Sequence, residues 1–363
     1  MKKKLIGIIL LVILGIIVLN IFYSSSKTTD EIKMGAILPL TGIASLDGQN
    51  EKQGIDLAVE EINQAGGING RPIKIIYEDD QTDSKRTVLS LSKLAEIDKV
   101  TIVIGGTWDI LANAIIPEAT KKKIVVLSPS ALSDTLEQES PYFFSVHSPV
   151  AVNQEIFEQY LKDNNAKTAA ILNVNNPWGI AHKNAFKKAA ANTGVDILEE
   201  RTIMGFDNND IATDMTLIKA KNPDMIFVTL NFNDMALFGK KRVELDIKSK
   251  ILAHFNFVNT IKRGMLSREL GEGVTIFQYS EPSESFIKKF KEKYGKVPEA
   301  YSDVAYDTIY ILKEVIEKEG VEPDNVIKGI REVQLQGASG EIYFGDNNFP
   351  ENKRPILQII TKE

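Results

Sequence analysis

Two tryptophans and a small set of carboxylates are the side chains of this sequence best suited to chemistry. Trp108 and Trp178 are the only tryptophans, and Asp47 and Asp109 are acidic residues that we expect near them. Aromatic faces and carboxylates together suit a cation, and each cation–π contact contributes about 0.5–2 kcal/mol. The pattern therefore favours an amine, a basic group or a quaternary ammonium as ligand. A plainer interpretation stays open, in which Trp108 is a packing residue and Asp109 caps a helix.

Motifs for catalysis are missing from the sequence. It contains no P-loop, no dinucleotide-binding glycine pattern, no nucleophile elbow and no HExxH zinc motif. It has no cysteine, and its three histidines, His147, His182 and His254, leave few candidates for acid–base catalysis. The acidic clusters at 79–83 and 207–210 lack calcium-loop spacing and are interpreted as turn and cap residues. We therefore expect no enzymatic activity, no cofactor and no metal site.

Length and charge restrict the class of protein further. The chain has 363 residues, with 43 lysines and arginines against 49 aspartates and glutamates, for a net charge of −6. The length indicates two to three domains with sizeable cores. The negative net charge argues against a surface that binds phosphate groups, so we expect no nucleic-acid partner.

The first 31 residues have the composition of a membrane segment followed by a linker. Three lysines at positions 2–4 precede an apolar run over 5–23, close to the roughly 20 residues that cross a bilayer. We predict that residues 1–23 form an uncleaved, single-pass anchor in the cell membrane, with a cleaved signal as the alternative. The lysines would stay inside, so the polar linker 24–31 and the following body would be extracytoplasmic.

After the linker, apolar strand patterns alternate with amphipathic helix patterns. The run 32–40 indicates a strand, and the spacing of Ile55, Ala58 and Ile62 indicates a helix face. Such alternation predicts parallel sheets covered by helices on both faces. It pauses near residue 148 and starts again, which predicts an α/β fold of two similar Rossmann-like lobes. Among the expected helices are those over 111–121, 181–193 and 235–245.

The position of a ligand site follows from this architecture. Ligands of open α/β sheets lie beyond the carboxyl ends of the strands. Two facing lobes would bring two such sets of strand ends to one interlobe cleft. The segments expected to line it are 41–47, 107–109, 128–132, 175–179, 231–233 and 254–256.

At these strand ends the sequence resembles the type I periplasmic solute-binding proteins of the leucine/isoleucine/valine-binding family. The matching stretches are 35–42 (GAILPLTG), 54–63, 66–70, 77–80 with Asp83, 104–106, 128–130 and 178–179. The resemblance covers residues 32–363 and implies two lobes joined by a hinge that the chain crosses three times. The lobes implied are 32–147 plus 277–338, and 148–276 plus 339–363.

The resemblance also implies a function. Proteins of this family capture an amino acid or a related small solute outside the membrane and deliver it to the permease subunits of an ABC importer. A ligand-sensing receptor domain that works with a separate membrane signalling protein is the alternative. A secreted α/β enzyme is a third hypothesis, which the missing catalytic motifs disfavour.

The positions that hold the ligand in the family's amino-acid binders are partly changed here. Hydroxyls that hold the ligand carboxylate fall within Thr107-Trp108-Asp109 and Ser130-Ala131-Leu132. The acidic residue that holds the ammonium is replaced within His254-Phe255-Asn256, and Asp47 replaces an aromatic residue. The residues that we expect to bind ligand are Asp47, Thr107, Trp108, Asp109, Ser130, Ala131, Trp178, Asn231 and Phe255.

Overall fold

The computed structural model describes residues 30–132, 140–204, 210–279 and 281–362. The predicted anchor over residues 1–23 lies outside the described residues, as does most of the acidic cluster at 207–210. In the described ranges, no helix is both long enough and apolar enough to cross a membrane.

A five-stranded parallel sheet forms the centre of the first lobe, in the order β2-β1-β3-β4-β5. Its strands are β1 (Ile32–Leu38), β2 (Ile73–Asp79), β3 (Ile102–Gly105), β4 (Val125–Ser128) and β5 (Phe143–Ser145). Neighbouring side chains enter different cores, since Ile102 and Ile104 pack on one face and Val103 on the other. Because the sheet is buried on both faces, its strands are nearly continuous apolar runs in the sequence.

A six-stranded sheet forms the centre of the second lobe, in the order β13-β10-β9-β8-β6-β7. Its strands are β6 (Thr168–Val174), β7 (Asp196–Ile203), β8 (Met225–Thr229), β9 (Lys250–His254), β10 (Thr275–Gln278) and β13 (Ile356–Ile359). All of its strand pairs are parallel except β10–β13. Again the two faces differ, with Phe227 in one core and Ile226 and Val228 in the other.

Helices cover both faces of each sheet, as the alternating pattern predicts. They are α1 (Ser45–Gln64), α2 (Ser84–Glu96), α3 (Trp108–Lys122), α4 (Asn153–Asp163), α5 (Pro177–Thr193), α6 (Ile211–Lys221), α7 (Phe232–Glu244), α8 (Asn256–Lys262), α9 (Glu284–Tyr294), α10 (Ser302–Glu319) and α11 (Pro323–Glu332). The strands β11 (Gln334–Gly337) and β12 (Gly340–Tyr343) form a separate two-stranded antiparallel ribbon.

The chain passes between the lobes after β5, after β10 and before β13. The second and third crossings come later than the expected boundaries at 276/277 and 338/339. The first of these boundaries falls inside β10, which pairs with β9 in the second sheet. The other precedes Ile342 and Phe344, whose side chains complete the core of the first lobe.

Candidate functional site

Several expected site residues lie on the first turns of helices. α1 begins at Ser45 and α3 at Trp108, so Asp47 and Asp109 occupy the first turns of these helices. In the second lobe α5 begins at Pro177, which places Trp178 at its start. These turns follow β1, β3 and β6 at the carboxyl edges of the two sheets, where the alternating fold predicts a ligand site.

A buried carboxyl group organises the wall of the first lobe. Glu51 of α1 is 0% exposed, and its two oxygens accept hydrogen bonds from Thr107 Oγ1 at 2.6 Å and Ser130 Oγ at 2.5 Å. Burial raises the pKa of Glu51 to about 8, although the two hydroxyl groups act in the opposite direction. The hydroxyls expected to hold a ligand are therefore already joined to this internal carboxyl group.

Trp108 lies on this wall and has an unusual backbone conformation. Its φ is 61°, in the left-handed region that side-chain-bearing residues seldom adopt, at a cost of about 1–3 kcal/mol. The indole Nε1 donates to Asp47 Oδ2 at 3.0 Å, and the backbone amide of Trp108 donates to Ser130 Oγ at 3.3 Å. These two hydrogen bonds help to hold Trp108 in its strained conformation at the wall of the first lobe.

Asp109 and Ala131 act inside the first lobe. Asp109 Oδ1 accepts from the backbone amide of Leu132 at 2.7 Å, so this carboxylate holds the loop after β4. The N-cap of α3 is Thr107, so Asp109 lies within the first turn of this helix and not at its N-cap. Ala131 is 0% exposed and packs in the same core as Phe143, behind the cleft wall.

The aromatic residues of the second lobe meet around His254. The Trp178 and Phe255 rings lie 4.7 Å and 4.0 Å from the His254 ring, between centroids. Trp178 also contacts His182, whose Nδ1 donates to the Trp178 carbonyl at 3.0 Å. Trp178 is half-buried and rests on the second lobe's own histidines.

Asn231 stands at the start of α7, after β8. Its carbonyl accepts from the Met235 backbone amide at 2.8 Å, as expected for a residue that precedes a helix. Its side-chain nitrogen is buried and has no hydrogen-bond partner among the described residues. A buried amide without a partner is costly, so this group is available to a ligand.

Arg263 connects the two walls. This residue follows α8 in the second lobe, and its Nη2 donates to Asp47 Oδ1 of the first lobe at 3.0 Å. Its guanidinium lies over the Phe232 ring at 3.8 Å, and its Nε is 3.7 Å from Glu299 Oε2. Burial raises the pKa of Asp47, and the charge and hydrogen bond of Arg263 partly offset that effect.

A cavity of about 120 Å³ adjoins this ion pair between the lobes. Its lining includes His147, Phe255, Arg263, Tyr279, Glu299 and Tyr301. The His147 and Tyr279 rings meet edge to face at 4.3 Å beside the first and second lobe crossings. Burial lowers the pKa of His147 to about 3, so its ring is neutral at neutral pH.

The acidic cluster at 79–83 has structural partners. Asp79 accepts from the Thr41 backbone amide and hydroxyl, Asp80 accepts from Thr87 Oγ1, and Asp83 caps α2. Within the described ranges, no group of three or more histidines and carboxylates could hold a metal ion.

Comparison with known proteins decides the family. The sequence profile of the family described as "Periplasmic binding protein" matches residues 31–362. The chain belongs to this family. The family consists of solute-binding receptors, which confirms the prediction that this periplasmic binding protein is not an enzyme.

Individual relatives of this periplasmic binding protein are distant in sequence and alike in length. It is 22% identical to the leucine-, isoleucine-, valine-, threonine- and alanine-binding protein of Pseudomonas aeruginosa, over 91% of the chain and 90% of the relative. The isoleucine complex of LivJ from Streptococcus pneumoniae has a TM-score of 0.80 at 20% identity, covering 91% of this chain and all of that one. A solute-binding protein of R. palustris in complex with 4-hydroxybenzoate has a TM-score of 0.83 at 22% identity, covering 92% and 94%.

Two cleft residues of this periplasmic binding protein, Glu51 and Arg263, were not predicted from the sequence. Glu51 lies one helical turn after Asp47 on α1, so the i,i+4 spacing of two carboxyl groups was a usable signal. Arg263 is 216 residues from Asp47 in the chain, and no local pattern connects them.

Proposed function

We propose that this protein is an extracytoplasmic receptor that captures a small organic solute between its lobes and delivers it to an ABC importer. The observation that carries the proposal is the interlobe cleft, where Asp47 and Trp108 of one lobe meet Arg263 of the other beside a cavity. Closure of two lobes around a ligand is the established motion of such folds. The amino-acid and 4-hydroxybenzoate binding named for its relatives supports a solute of this size.

We assign the ligand-facing surface to part of the expected set. On the first lobe it comprises Asp47, Thr107, Trp108 and Ser130, which Glu51 links into one wall. On the second lobe it comprises Trp178, Asn231 and Phe255, at the ends of β6, β8 and β9. Asp109 and Ala131 support the wall from behind.

A cationic ligand would have to compete with a side chain of the protein. Asp47, the carboxylate that would attract it, is already paired with the Arg263 guanidinium. The aromatic faces of Trp108 and Phe255 favour such a ligand, and the ion pair opposes it. Amines therefore belong in a ligand panel beside amino acids, amides and aromatic acids.

We also propose that residues 5–23 anchor the receptor in the cell membrane as a single span. The support is the sequence itself, with three lysines before a long apolar run and a polar linker after it. Extraction of cells with sodium carbonate tests this proposal, because an anchored protein stays in the membrane pellet. Recovery of the chain in the soluble fraction, starting after residue 23, would show cleavage instead.

Ligand titration tests the receptor function. The full chain in mild detergent is titrated with the panel while tryptophan fluorescence and melting temperature are followed. A solute at 100 times its Kd should stabilise the protein by about 2.7 kcal/mol. No response to any solute of the panel, at millimolar concentration, would contradict the proposal.

A further inference from the structure

Glu51 occupies a position from which it controls the hydrogen bonds of the first-lobe wall. It comes from α1, reaches between the ends of β3 and β4, and is fully buried. Its two oxygens accept hydrogen bonds from the Thr107 and Ser130 hydroxyl groups, one each. No other described carboxyl group contacts both of these hydroxyls.

An ionised Glu51 fixes the direction of the hydrogen bonds along this wall. A hydroxyl group has one hydrogen and two lone pairs. An ionised Glu51 takes the hydrogens of both Thr107 and Ser130, so that both hydroxyls can only accept from a ligand. Ser130 Oγ also accepts from the Trp108 backbone amide, which leaves it a single free lone pair.

Protonation of Glu51 changes which hydroxyl hydrogens are free for a ligand. A protonated carboxyl group donates to one hydroxyl and accepts from the other. The hydroxyl that receives the proton then has its own hydrogen free for a ligand. The wall thus gains one donor when Glu51 carries a proton, and the buried negative charge disappears.

We propose that Glu51 determines the charge of the ligand: its ionised form selects a head group that donates hydrogen bonds, and a carboxylate ligand binds at Thr107 and Ser130 only with a proton on Glu51. This inference rests on the proposed function, because it concerns the ligand of the same cleft. It identifies Glu51 as a specificity-determining residue that acts through two hydroxyl groups.

The charged surroundings of Glu51 support proton uptake. Asp47 on the same helix and Asp80 after β2 both raise its pKa, in addition to burial. Tyr301, before α10, also faces this carboxyl group. Arg263, the cation that pairs with Asp47, also lies beside Glu299. A ligand carboxylate would add another negative charge, so it favours the protonated form further.

The first experiment tests whether Glu51 holds a proton in the unliganded protein. The full chain and its Glu51→Gln variant, which imitates the protonated group, are melted between pH 5 and pH 8. The stability advantage of Glu51→Gln should grow as the pH rises, since ionisation of a buried Glu51 costs stability. Glu341→Gln changes an exposed glutamate in the same way and should show no such trend. Parallel wild-type and Glu51→Gln curves would overturn the proposal.

The second experiment measures how ligand affinity depends on pH. Benzoate with benzamide, and 4-methylpentanoate with 4-methylpentanamide, are matched pairs that do not titrate between pH 7 and pH 9. Wild-type affinity for the carboxylates should fall about tenfold across this range if Glu51 titrates near pH 8. Affinity for the amides, whose NH2 groups can donate to the wall, should not fall. Glu51→Gln should bind the carboxylates with no pH dependence.

The outcomes separate the two proposals. Carboxylate binding whose pH dependence is the same in wild type and in Glu51→Gln overturns the role of Glu51. Binding of other panel solutes but of neither pair also overturns it as a selector of ligand charge. If no solute of the panel binds, the receptor function is contradicted instead. The melting curves still show in that case whether Glu51 holds a proton.

Discussion

Arg263 and Asp47 form an ion pair across the cleft, with 3.0 Å between Nη2 of the second lobe and Oδ1 of the first. Both side chains are largely buried, at 14% and 3% exposed. Phe232 stacks on the guanidinium, and the Trp108 indole donates to the other Asp47 oxygen. The Phe232 stack and the Trp108 hydrogen bond each lie within one lobe and position the two charged groups. The ion pair itself needs both lobes in place, so it stabilises the closed arrangement specifically.

Replacement of Arg263 by alanine should therefore open the cleft. It leaves Asp47 buried without its cation, and removal of one partner of a buried pair costs about 3–5 kcal/mol. We expect the unliganded variant to have a larger radius of gyration by X-ray scattering and a nearly unchanged second-lobe core. Lys248→Ala, which removes an exposed ion pair of the same lobe, should leave the scattering curve as it is. A compact Arg263→Ala protein would show that other contacts hold the lobes together.

The two tryptophans should report on different events. Trp108 bonds to Asp47 at the ion pair, whereas Trp178 packs on His182 and His254 within one lobe. In the Arg263→Ala background, Trp178→Phe isolates the Trp108 signal and Trp108→Phe isolates that of Trp178. Emission from Trp108 should shift to longer wavelength on cleft opening, and emission from Trp178 should shift less. Equal shifts would mean that Trp178 also lies at the contact between the lobes.

Lys353 is a buried cation beside the hinge, and its loss should destabilise the protein. Its Nζ donates to Ser339 Oγ at 2.6 Å and compensates the charges of Asp303 and Asp307. Lys353→Met leaves these carboxyl groups uncompensated, and we expect a loss of about 3 kcal/mol at pH 7 in urea unfolding.

The loss caused by Lys353→Met should be smaller at pH 5. Burial already raises the pKa of Asp303 to about 6 and raises that of Asp307, so acid neutralises the uncompensated charges. Lys362→Met, at an exposed lysine, is the control. A destabilisation of equal size at both pH values would assign the effect to packing alone.

The periodicity of the sequence predicts the strands and helices well, and its errors are informative. Helices expected to begin at 111, 181 and 235 begin at Trp108, Pro177 and Phe232. Ile110 and Ile180 on two of these first turns are exposed, so a pattern based on core packing does not include the turns. Trp108 and Trp178, which we propose for the cleft walls, thus lie on first turns that core periodicity does not mark.

Contacts that depend on the lobe arrangement could not be predicted from the sequence. The strand ends predict where Asp47 and Trp108 lie, because parallel strands carry their loops to one edge. The pairing of Asp47 with Arg263 depends on how the two lobes close. The late crossings likewise depend on tertiary pairing, since Phe344 and β13 belong to different lobes although they are close in the chain.

Acid should destabilise the second lobe through His182. This histidine is 1% exposed, and burial lowers its pKa to about 4 from an ordinary value of 6.5. A base with a lowered pKa in the folded state contributes stability above pH 6.5, and this contribution is lost as the pH falls toward 4. Over that range wild type should lose about 3 kcal/mol more than His182→Gln, whose amide can still donate to the Trp178 carbonyl.

Chemical unfolding of both proteins at several pH values measures this difference directly. The buried carboxyl groups Glu51 and Asp303 have raised pKa values and gain stability on acidification, which opposes the histidine effect in either protein alone. Because both proteins contain these groups, their contribution cancels in the difference between wild type and His182→Gln. A difference that stays constant from pH 6.5 to pH 4 would show that His182 takes up its proton without cost, and hence that the second lobe admits water beside Trp178.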